Sequence, residues 1–168
     1  MEDVVILEKR GRVMRITAKG EYAAKAVLYL SLRYPNVVTI QEVAAGHNIP
    51  LKYLEQILLM LKKNQLLASR RGVHGGYTLA RPPEQITVGE VLRAVDGRFS
   101  ETACLRAESG DHYSCPEAPG CGLRHVWHDV HESVDKILFN SNFAEVCQRT
   151  LASRPRGSPY LANPVAAK

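Results

Sequence analysis

The chain of 168 residues has few of the features that mark secreted, membrane-spanning or disordered proteins. Its four cysteines are too few for a disulfide scaffold of this length. No apolar run approaches a membrane span, and the first residues lack the basic and then apolar layout of a signal peptide. Hydrophobic residues make up 45% of the chain, which excludes a disordered composition. We therefore expect a soluble, cytoplasmic protein with no membrane partner, whose cysteines stay reduced.

The net charge of +5 is unevenly distributed along the chain. Between Leu51 and Arg71 there are five basic side chains and one carboxylate, which gives a local net charge of +4. The segment 101–121 has a local net charge of −3 and holds three of the four cysteines. A basic excess is compatible with a polyanionic partner but does not establish one. The separation of basic and cysteine-bearing segments indicates two functions on one chain.

Three helices are predicted in the first half of the chain. An apolar stripe predicts the first over about 18–34, on Ala23, Ala26, Val27 and Leu30. A capping box at Thr39 and Glu42 begins a short second helix that reaches about Ala45. Pro50 suits the first turn of the third helix, because its missing N–H donor would be unpaired there. The buried face of this third helix is predicted to be Leu54, Ile57, Leu58 and Leu61.

Two short strands are predicted next, over 66–69 and 76–79, on either side of the basic, glycine-rich turn 70–75. A second capping box over 87–90 opens a helix that runs through Val95. The order of helix, short helix, helix and two-stranded wing is that of a winged helix-turn-helix. The predicted fold class is therefore mainly α with a small β wing.

The basic charge coincides with the two elements of this fold that contact DNA. A helix fits the major groove, where Lys52, Glu55 and Gln56 can reach base edges. The other candidate DNA-binding residues lie at the end of this helix and in the wing, and are Lys62, Lys63, Arg70, Arg71, Gly72 and His74. The alternative is a solvated helix face beside an ordinary hairpin. The order of elements, with basic charge at both, favours binding of double-stranded DNA.

A long amphipathic helix is predicted over 122–140. Its apolar stripe consists of Leu123, Val126, Trp127, Val130, Val134, Ile137 and Leu138. A small winged unit offers little surface to cover so long a helix, so we expect a second copy to cover it in a homodimer. Packing on its own domain alone is the alternative. Two-fold symmetry would place two recognition helices on a palindromic operator.

Cys104, Cys115 and Cys121 lie in one loop directly before the long helix. The absence of a Cys-x2-Cys pair argues against a common zinc knuckle. Thiolates suit iron–sulfur clusters, and three in one loop can bind one cluster. From spacing alone, zinc, a reversible disulfide and incidental free thiols stay open as alternatives. A fourth ligand would come from His125, His112, a nearby carboxylate or a second subunit.

Catalysis is not expected from these cysteines. A cysteine paired with His112 or His125 would resemble a nucleophilic pair, but no nucleophile elbow, oxyanion-hole signature or second domain accompanies it. Cys147, on a predicted last helix, is expected to be a packing residue. We therefore expect a protein that is not an enzyme.

Four segments resemble the Rrf2 family of bacterial transcriptional regulators. Residues 14–23 resemble the opening of that family, 49–58 its recognition helix, 71–77 its wing and 88–91 its following helix. The resemblance covers about 14–151, and in the amino-terminal half it is strongest to the iron–sulfur cluster regulators of the family. It implies a dimeric winged helix-turn-helix regulator that binds DNA, with repression of transcription as the expected outcome.

The resemblance also implies roles for single residues in DNA binding. Lys52, Glu55 and Gln56 fall where the base-contacting side chains of the family lie. Arg71 falls where the wing arginine of the family enters the minor groove.

The resemblance further implies an iron–sulfur cluster, with two or four irons, bound by Cys104, Cys115 and Cys121. The ten residues between the first two cysteines exceed the usual family spacing, which would change the cluster type or leave the first cysteine out. The family's histidine ligand falls one residue before His125. Other members take a carboxylate from the amino-terminal helix of the second subunit, where Glu21 lies. We expect Glu21 in trans as the fourth ligand, with His125 as the runner-up.

Five regions are expected along the chain. They are a flexible extension over 1–13, a winged helix-turn-helix domain over 14–97, a cysteine-bearing sensor loop over 98–121, a dimerisation helix and a C-terminal helix over 122–152, and a disordered tail over 153–168. We expect a cluster in the sensor loop to control DNA affinity by fixing the dimer helix. The alternative is a cluster-free regulator controlled by a thiol switch or by a protein partner.

Overall fold

The computed structural model describes residues 16–72, 75–97 and 120–153. In chain order its elements are α1 (Ala18–Ser31), α2 (Ile40–His47), α3 (Leu51–Lys63), β1 (Leu67–Arg70), β2 (Gly76–Leu79), a 3-10 turn (Pro83–Gln85), α4 (Val88–Asp96), α5 (Gly122–Asn140) and α6 (Phe143–Ala152). The two strands pair in an antiparallel wing. This order confirms the predicted fold class, a mainly helical winged helix-turn-helix followed by a long helix. Across these ranges, no helix combines the length and the hydropathy needed to cross a membrane.

Both predicted capping boxes are formed. The Thr39 hydroxyl accepts the Glu42 N–H at 3.3 Å, and the Glu42 carboxylate accepts the Thr39 N–H at 2.8 Å. Thr87 and Glu90 repeat the arrangement at 3.2 and 2.9 Å. Each box satisfies two backbone donors that a helix start would otherwise leave unpaired, and so fixes where α2 and α4 begin.

Two predicted helix ends were wrong by two or three residues. Helix α1 ends at Ser31 rather than Tyr34, in a turn that leads into Pro35. The proline ring disfavours helical conformation in the residue before it, so the helix stops early. Helix α2 extends to His47, and Asn48 ends it in the left-handed conformation with φ of 52°.

Smaller corrections apply to β1, α3 and α4. Arg70, opposite Gly76 in the ladder, is the last residue of β1, so this strand lies one residue later than the predicted 66–69. Pro50 is the N-cap of α3 rather than a residue of its first turn. Helix α4 includes Asp96, one residue beyond the predicted end.

The core joins the winged unit to the last helix. The predicted apolar faces of α1 and α3 are buried together: Ala23, Ala26, Val27, Leu30, Leu54, Ile57, Leu58 and Leu61. Phe143, the first residue of α6, is buried in the same cluster. Its N–H donates to the Ile86 carbonyl at 2.9 Å, and the Val88 N–H donates to the Ser141 carbonyl at 2.9 Å. The start of α6 is therefore anchored beside the start of α4.

The C-terminal part of helix α5 packs against α4. Gly89 is buried, and a Cβ added there would lie 2.7 Å from the Phe139 ring, so only glycine permits this approach. The Arg93 guanidinium lies 4.3 Å from the centre of the same ring and 3.4 Å from the Asp135 carboxylate. These contacts hold the last turns of α5 against the winged unit.

Candidate nucleic-acid interface

Helix α3 presents a largely polar face to solvent, opposite the side on which Leu54, Ile57, Leu58 and Leu61 are buried. Lys52, Glu55 and Gln56 are all exposed on this face. Within the described ranges, no ion pair engages the charged groups of Lys52 and Glu55. The predicted base-contacting side chains therefore share one accessible surface.

The end of α3 is tied to the wing. The Lys62 ammonium donates a hydrogen bond of 2.7 Å to the Ser69 hydroxyl on β1. Lys63 is exposed beside it. The sequence predicted Lys62 as a DNA-binding residue but not its bond to Ser69, because a contact between a helix and a strand depends on how the two elements pack.

The described basic side chains of the wing are exposed to solvent. Arg70 and Arg71 are exposed, and Gly72 follows with φ of 109°, a conformation that favours glycine. The Gly75 N–H donates to the Gly72 carbonyl at 2.8 Å. His74, also predicted to contact DNA, lies outside the described residues. The described part of the wing thus places two guanidinium groups directly before Gly72.

The first helix contacts the start of α3 through an aromatic pair. The Tyr22 and Tyr53 rings meet edge to face with centroids 5.9 Å apart. The Lys25 ammonium lies 5.8 Å from the Tyr22 ring centre and forms an ion pair with Glu21 in the same helix. Glu21, the predicted fourth cluster ligand, therefore lies on a helix that packs directly against α3.

The described residues contain only part of the predicted cysteine site. Cys121 is half-buried at the N-cap of α5 and makes no side-chain capping bond. His125 is exposed in the first turns of α5. Cys104, Cys115 and His112 lie outside the described residues. In the part of the chain that the structure covers, no three His, Cys, Asp or Glu side chains come together to hold a metal.

Cys147 lies in a different environment on α6. Burial, and then the nearby carboxylate of Glu84, raise the pKa of its thiol to about 11. A half-buried thiol that resists ionisation is a poor nucleophile and a poor metal ligand. This environment agrees with the expected packing role.

The predicted dimer stripe is exposed along α5. Its most exposed residues are Leu123, Val126, Trp127, Val130 and Ile137. Leu123 is 59% and Ile137 is 67% exposed, and no residue of the helix is buried. An exposed apolar face of this kind is typical of an interaction surface.

Comparison with known proteins gives one family. Residues 16–149 match the model of the Rrf2 family, which is described as an iron-dependent transcriptional regulator. The HTH-type transcriptional regulator IscR of Sodalis glossinidius is 37% identical over 134 residues, which cover 79% of this chain and 78% of that protein. A putative HTH-type transcriptional regulator of Haemophilus influenzae is 33% identical over 142 residues, or 84% of this chain and 91% of its own length.

Two solved structures extend the comparison. T. potens IscR superimposes with a TM-score of 0.67 and 26% identity, and the match covers 87% of this chain and 96% of that one. The oxidized form of Staphylococcus aureus CymR gives a TM-score of 0.63 and 25% identity over 80% of this chain and 97% of its own. The two sequence relatives above are named as transcriptional regulators and not as enzymes. Since the family match spans every described element up to α6, the chain belongs to the Rrf2 family of transcriptional regulators.

Proposed function

We propose that the protein is a cytoplasmic homodimer that binds a palindromic operator and represses transcription. One observation carries this proposal: the exposed side chains of Lys52, Glu55 and Gln56 on α3 lie in the same winged unit as exposed Arg70 and Arg71. A helix of this kind fits the major groove, where such side chains form hydrogen bonds with base edges. A guanidinium beside a glycine turn suits the narrow minor groove.

Phosphate contacts would add affinity that does not depend on sequence. We assign these contacts to Lys62, Lys63, Arg70 and Arg71 at the end of α3 and in the wing, and keep Gly72 and His74 as further DNA-binding residues of the wing. Each lysine that neutralises a phosphate releases counterions, so operator binding would weaken steeply as salt rises. The local net charge of +4 over residues 51–71 supports this assignment.

A second copy would cover the apolar stripe of α5. Val126, Val130 and Ile137 are about half or more exposed in the single chain, which is costly for side chains of this type unless a partner covers them. A dimer formed through α5 would also set the spacing of two recognition helices, one for each operator half-site.

Control of DNA affinity is assigned to an iron–sulfur cluster held by Cys104, Cys115 and Cys121, with Glu21 supplied by the second subunit. Cys121 suits this role because it lies at the N-cap of α5 and its side chain makes no capping bond there. Glu21 would have to exchange its exposed ion pair with Lys25, and such pairs are weak. When bound, the cluster would supply a redox- and nitric-oxide-sensitive tie between the sensor loop and a neighbouring helix. The family description as iron-dependent supports this assignment.

A thiol switch without a cluster is the second candidate. It is favoured by the likeness to Staphylococcus aureus CymR, whose structure was solved in an oxidized form. In this version, two cysteines of the loop would form a reversible disulfide, or a protein partner would control binding.

Anaerobic purification followed by absorbance and Mössbauer spectroscopy distinguishes the two candidates. A coloured protein that loses its spectrum in Cys121→Ser supports the cluster. A colourless dimer whose DNA binding depends on reductant supports the thiol switch. Fluorescence anisotropy on the protein's own promoter, with cluster-loaded and cluster-free protein, then tests control. Equal affinity of the two forms would contradict sensing by the cluster.

The fourth ligand is tested with matched variants. Glu21→Ala should alter the cluster spectrum, whereas Lys25→Ala should preserve it because only the carboxylate is required. An unchanged spectrum in Glu21→Ala, together with a changed one in His125→Ala, would assign the ligand to His125 instead.

A further inference from the structure

Leu59 occupies the middle of the exposed face of α3. It is 59% exposed, whereas Leu54, Ile57, Leu58 and Leu61 of the same helix are buried. At about 100° per residue, it lies within about 60° of five polar side chains around the helix axis. These are Lys52, Glu55, Gln56, Lys62 and Lys63. The buried leucines and isoleucine of α3 are at least about 100° away.

A single exposed leucine is ordinary on a protein surface and needs no partner by itself. The position of Leu59 is what distinguishes it. It is surrounded by the same side chains that are proposed to contact DNA, and three of them are basic. It also lies on a different element from the apolar stripe of α5. Any partner that covers Leu59 must therefore accept a strongly basic rim around an apolar centre.

Major-groove DNA offers that combination. Its phosphates are anionic, and the C5-methyl group of thymine is the apolar feature on the base edges. An apolar protein patch would instead leave Lys52, Lys62 and Lys63 desolvated without counter-charge. Charge complementarity thus favours a thymine over a protein side chain as the group that Leu59 meets.

We infer that Leu59 contacts the methyl group of a thymine in each operator half-site and so determines part of the sequence specificity. This inference rests on the proposed function, since it requires α3 to lie in the major groove. Leu59 follows Glu55 and Gln56 by about one helical turn, or roughly 5 Å along the axis. The thymine therefore lies next to the base pairs that Glu55 and Gln56 contact.

Deoxyuridine substitution tests the contact, because it removes one methyl group and keeps the base-pairing edge. Each thymine of the footprinted half-site is replaced in turn, and affinity is measured by fluorescence anisotropy. At one position the affinity of the wild-type dimer should fall about fourfold for each methyl group removed. This is the factor expected from the loss of one buried methyl group. Leu59→Ala should bind the thymine operator more weakly and should be indifferent to deoxyuridine at that position. Leu59→Met, which restores an apolar side chain, should recover the discrimination.

Leu151→Ala serves as the matched control, because this leucine is 47% exposed on α6, away from α3. It should keep the full response to deoxyuridine. The inference is overturned if the wild type binds the operator and no single deoxyuridine lowers its affinity, or if Leu59→Ala responds as the wild type does. If the wild type fails to bind promoter DNA at all, the proposed function falls as well, so the two failures are distinguishable. Loss of a protein partner in Leu59→Ala with unchanged DNA affinity would also overturn it.

Discussion

The Lys62 ammonium and the Ser69 hydroxyl are 2.7 Å apart and join the last turn of α3 to the first wing strand. A lysine ammonium has three donors, so this bond leaves two for another acceptor. Lys62 can therefore orient the wing and contact a phosphate at the same time. The pair links the two elements that are proposed to enter adjacent grooves.

The salt dependence of operator binding should separate these two roles. Lys62→Ala is expected to lower the slope of log K against log salt by about 0.9 for each phosphate that is no longer neutralised, and so by about 1.8 for a dimer. Ser69→Ala should keep the slope, because it removes no charge. Lys136→Ala, which removes an ammonium from exposed α5, is the control and should also keep it. If Lys62→Ala leaves the slope unchanged, then this lysine serves only as a tie between helix and wing.

Arg71 should contribute to specificity as well as to affinity. Arg71→Ala is expected to weaken operator binding about 5- to 150-fold, the range of about 1–3 kcal/mol for a specific arginine contact. The loss of affinity should be largest on operators in which A·T pairs narrow the minor groove, because a narrow groove attracts a guanidinium more strongly. Anisotropy titrations on operators with A·T or G·C pairs at the wing position measure this difference.

Arg149→Ala is the matched control for the wing variant. Arg149 is exposed on α6 and lies 3.8 Å from the Glu145 carboxylate. Its loss removes the same charge and should leave both affinity and sequence preference unchanged. An equal loss in both variants would show that net charge, rather than a wing contact, supplies the effect.

Local sequence patterns predicted the elements of this fold better than the contacts between them. The capping boxes at Thr39 and Thr87 were predictable because their partners lie three residues away in the chain. The buried face of α3 followed from its period alone. By contrast, the burial of Phe143 beside α4 was not predictable, because it depends on how distant segments pack.

In the candidate site too, features set by local sequence were predictable and contacts between elements were not. The exposure of Lys52, Glu55 and Gln56 followed from a helical period and a buried opposite face. The bond between Lys62 and Ser69 did not, because many surfaces are within reach of a long flexible side chain. All the proposed cluster ligands stay predictions, and two of them, Cys104 and Cys115, lie outside the described residues.

An aspartate in the apolar stripe of α5 should break the dimer. Val130 is 48% exposed near the middle of the stripe, and Val130→Asp would place a charge in the proposed interface. We expect a shift from dimer to monomer in size-exclusion chromatography with light scattering. Operator affinity should fall by more than tenfold, because each half-site would then be bound separately.

His128→Asp is the control for the interface variant, because His128 is exposed on the opposite face of α5. It adds the same carboxylate to the same helix and should leave the dimer intact. A dimeric Val130→Asp protein would place the interface elsewhere.

The capping box of α4 should make stability depend on pH. Burial raises the pKa of Glu90, but hydrogen bonds from Thr87 and the guanidinium of Arg81 outweigh it, and the pKa lies below its ordinary value of 4.5. A carboxyl with a lowered folded-state pKa stabilises the protein above its unfolded pKa, and this contribution is lost as pH falls through the folded value. Glu90→Gln keeps the acceptor oxygen of the capping box but removes the charge, so it should lower the free energy of unfolding at pH 7 by about 0.3–1 kcal/mol, the usual contribution of a carboxylate near a helix N-terminus.

The difference between wild type and Glu90→Gln should shrink as pH falls from about 5 to 3. Urea unfolding at fixed protein concentration measures it, since dimer stability depends on concentration. Glu55→Gln, at an exposed position on α3, controls for the loss of a carboxylate. A difference that stays constant over this pH range would mean that the Glu90 charge does not contribute.

Cys121 and Cys147 should differ in reactivity in the cluster-free protein. With a pKa of about 11, roughly one Cys147 thiol in a thousand is ionised at pH 8. Iodoacetamide attacks the thiolate, so peptide mass spectrometry should show Cys121 labelled well before Cys147. In urea, where burial is lost, the two rates should converge.

The different environments of Cys121 and Cys147 also predict different effects of their substitution on cluster binding. Cys147→Ser should keep the absorbance of anaerobically loaded protein, because a thiol that resists ionisation contributes no ligand. Cys121→Ser should lose that absorbance, since Cys121, at the start of α5, is one of the proposed cluster ligands. Retention of the spectrum in Cys121→Ser, with loss in Cys147→Ser, would reverse the assignment and place the cluster against α6 instead of the sensor loop.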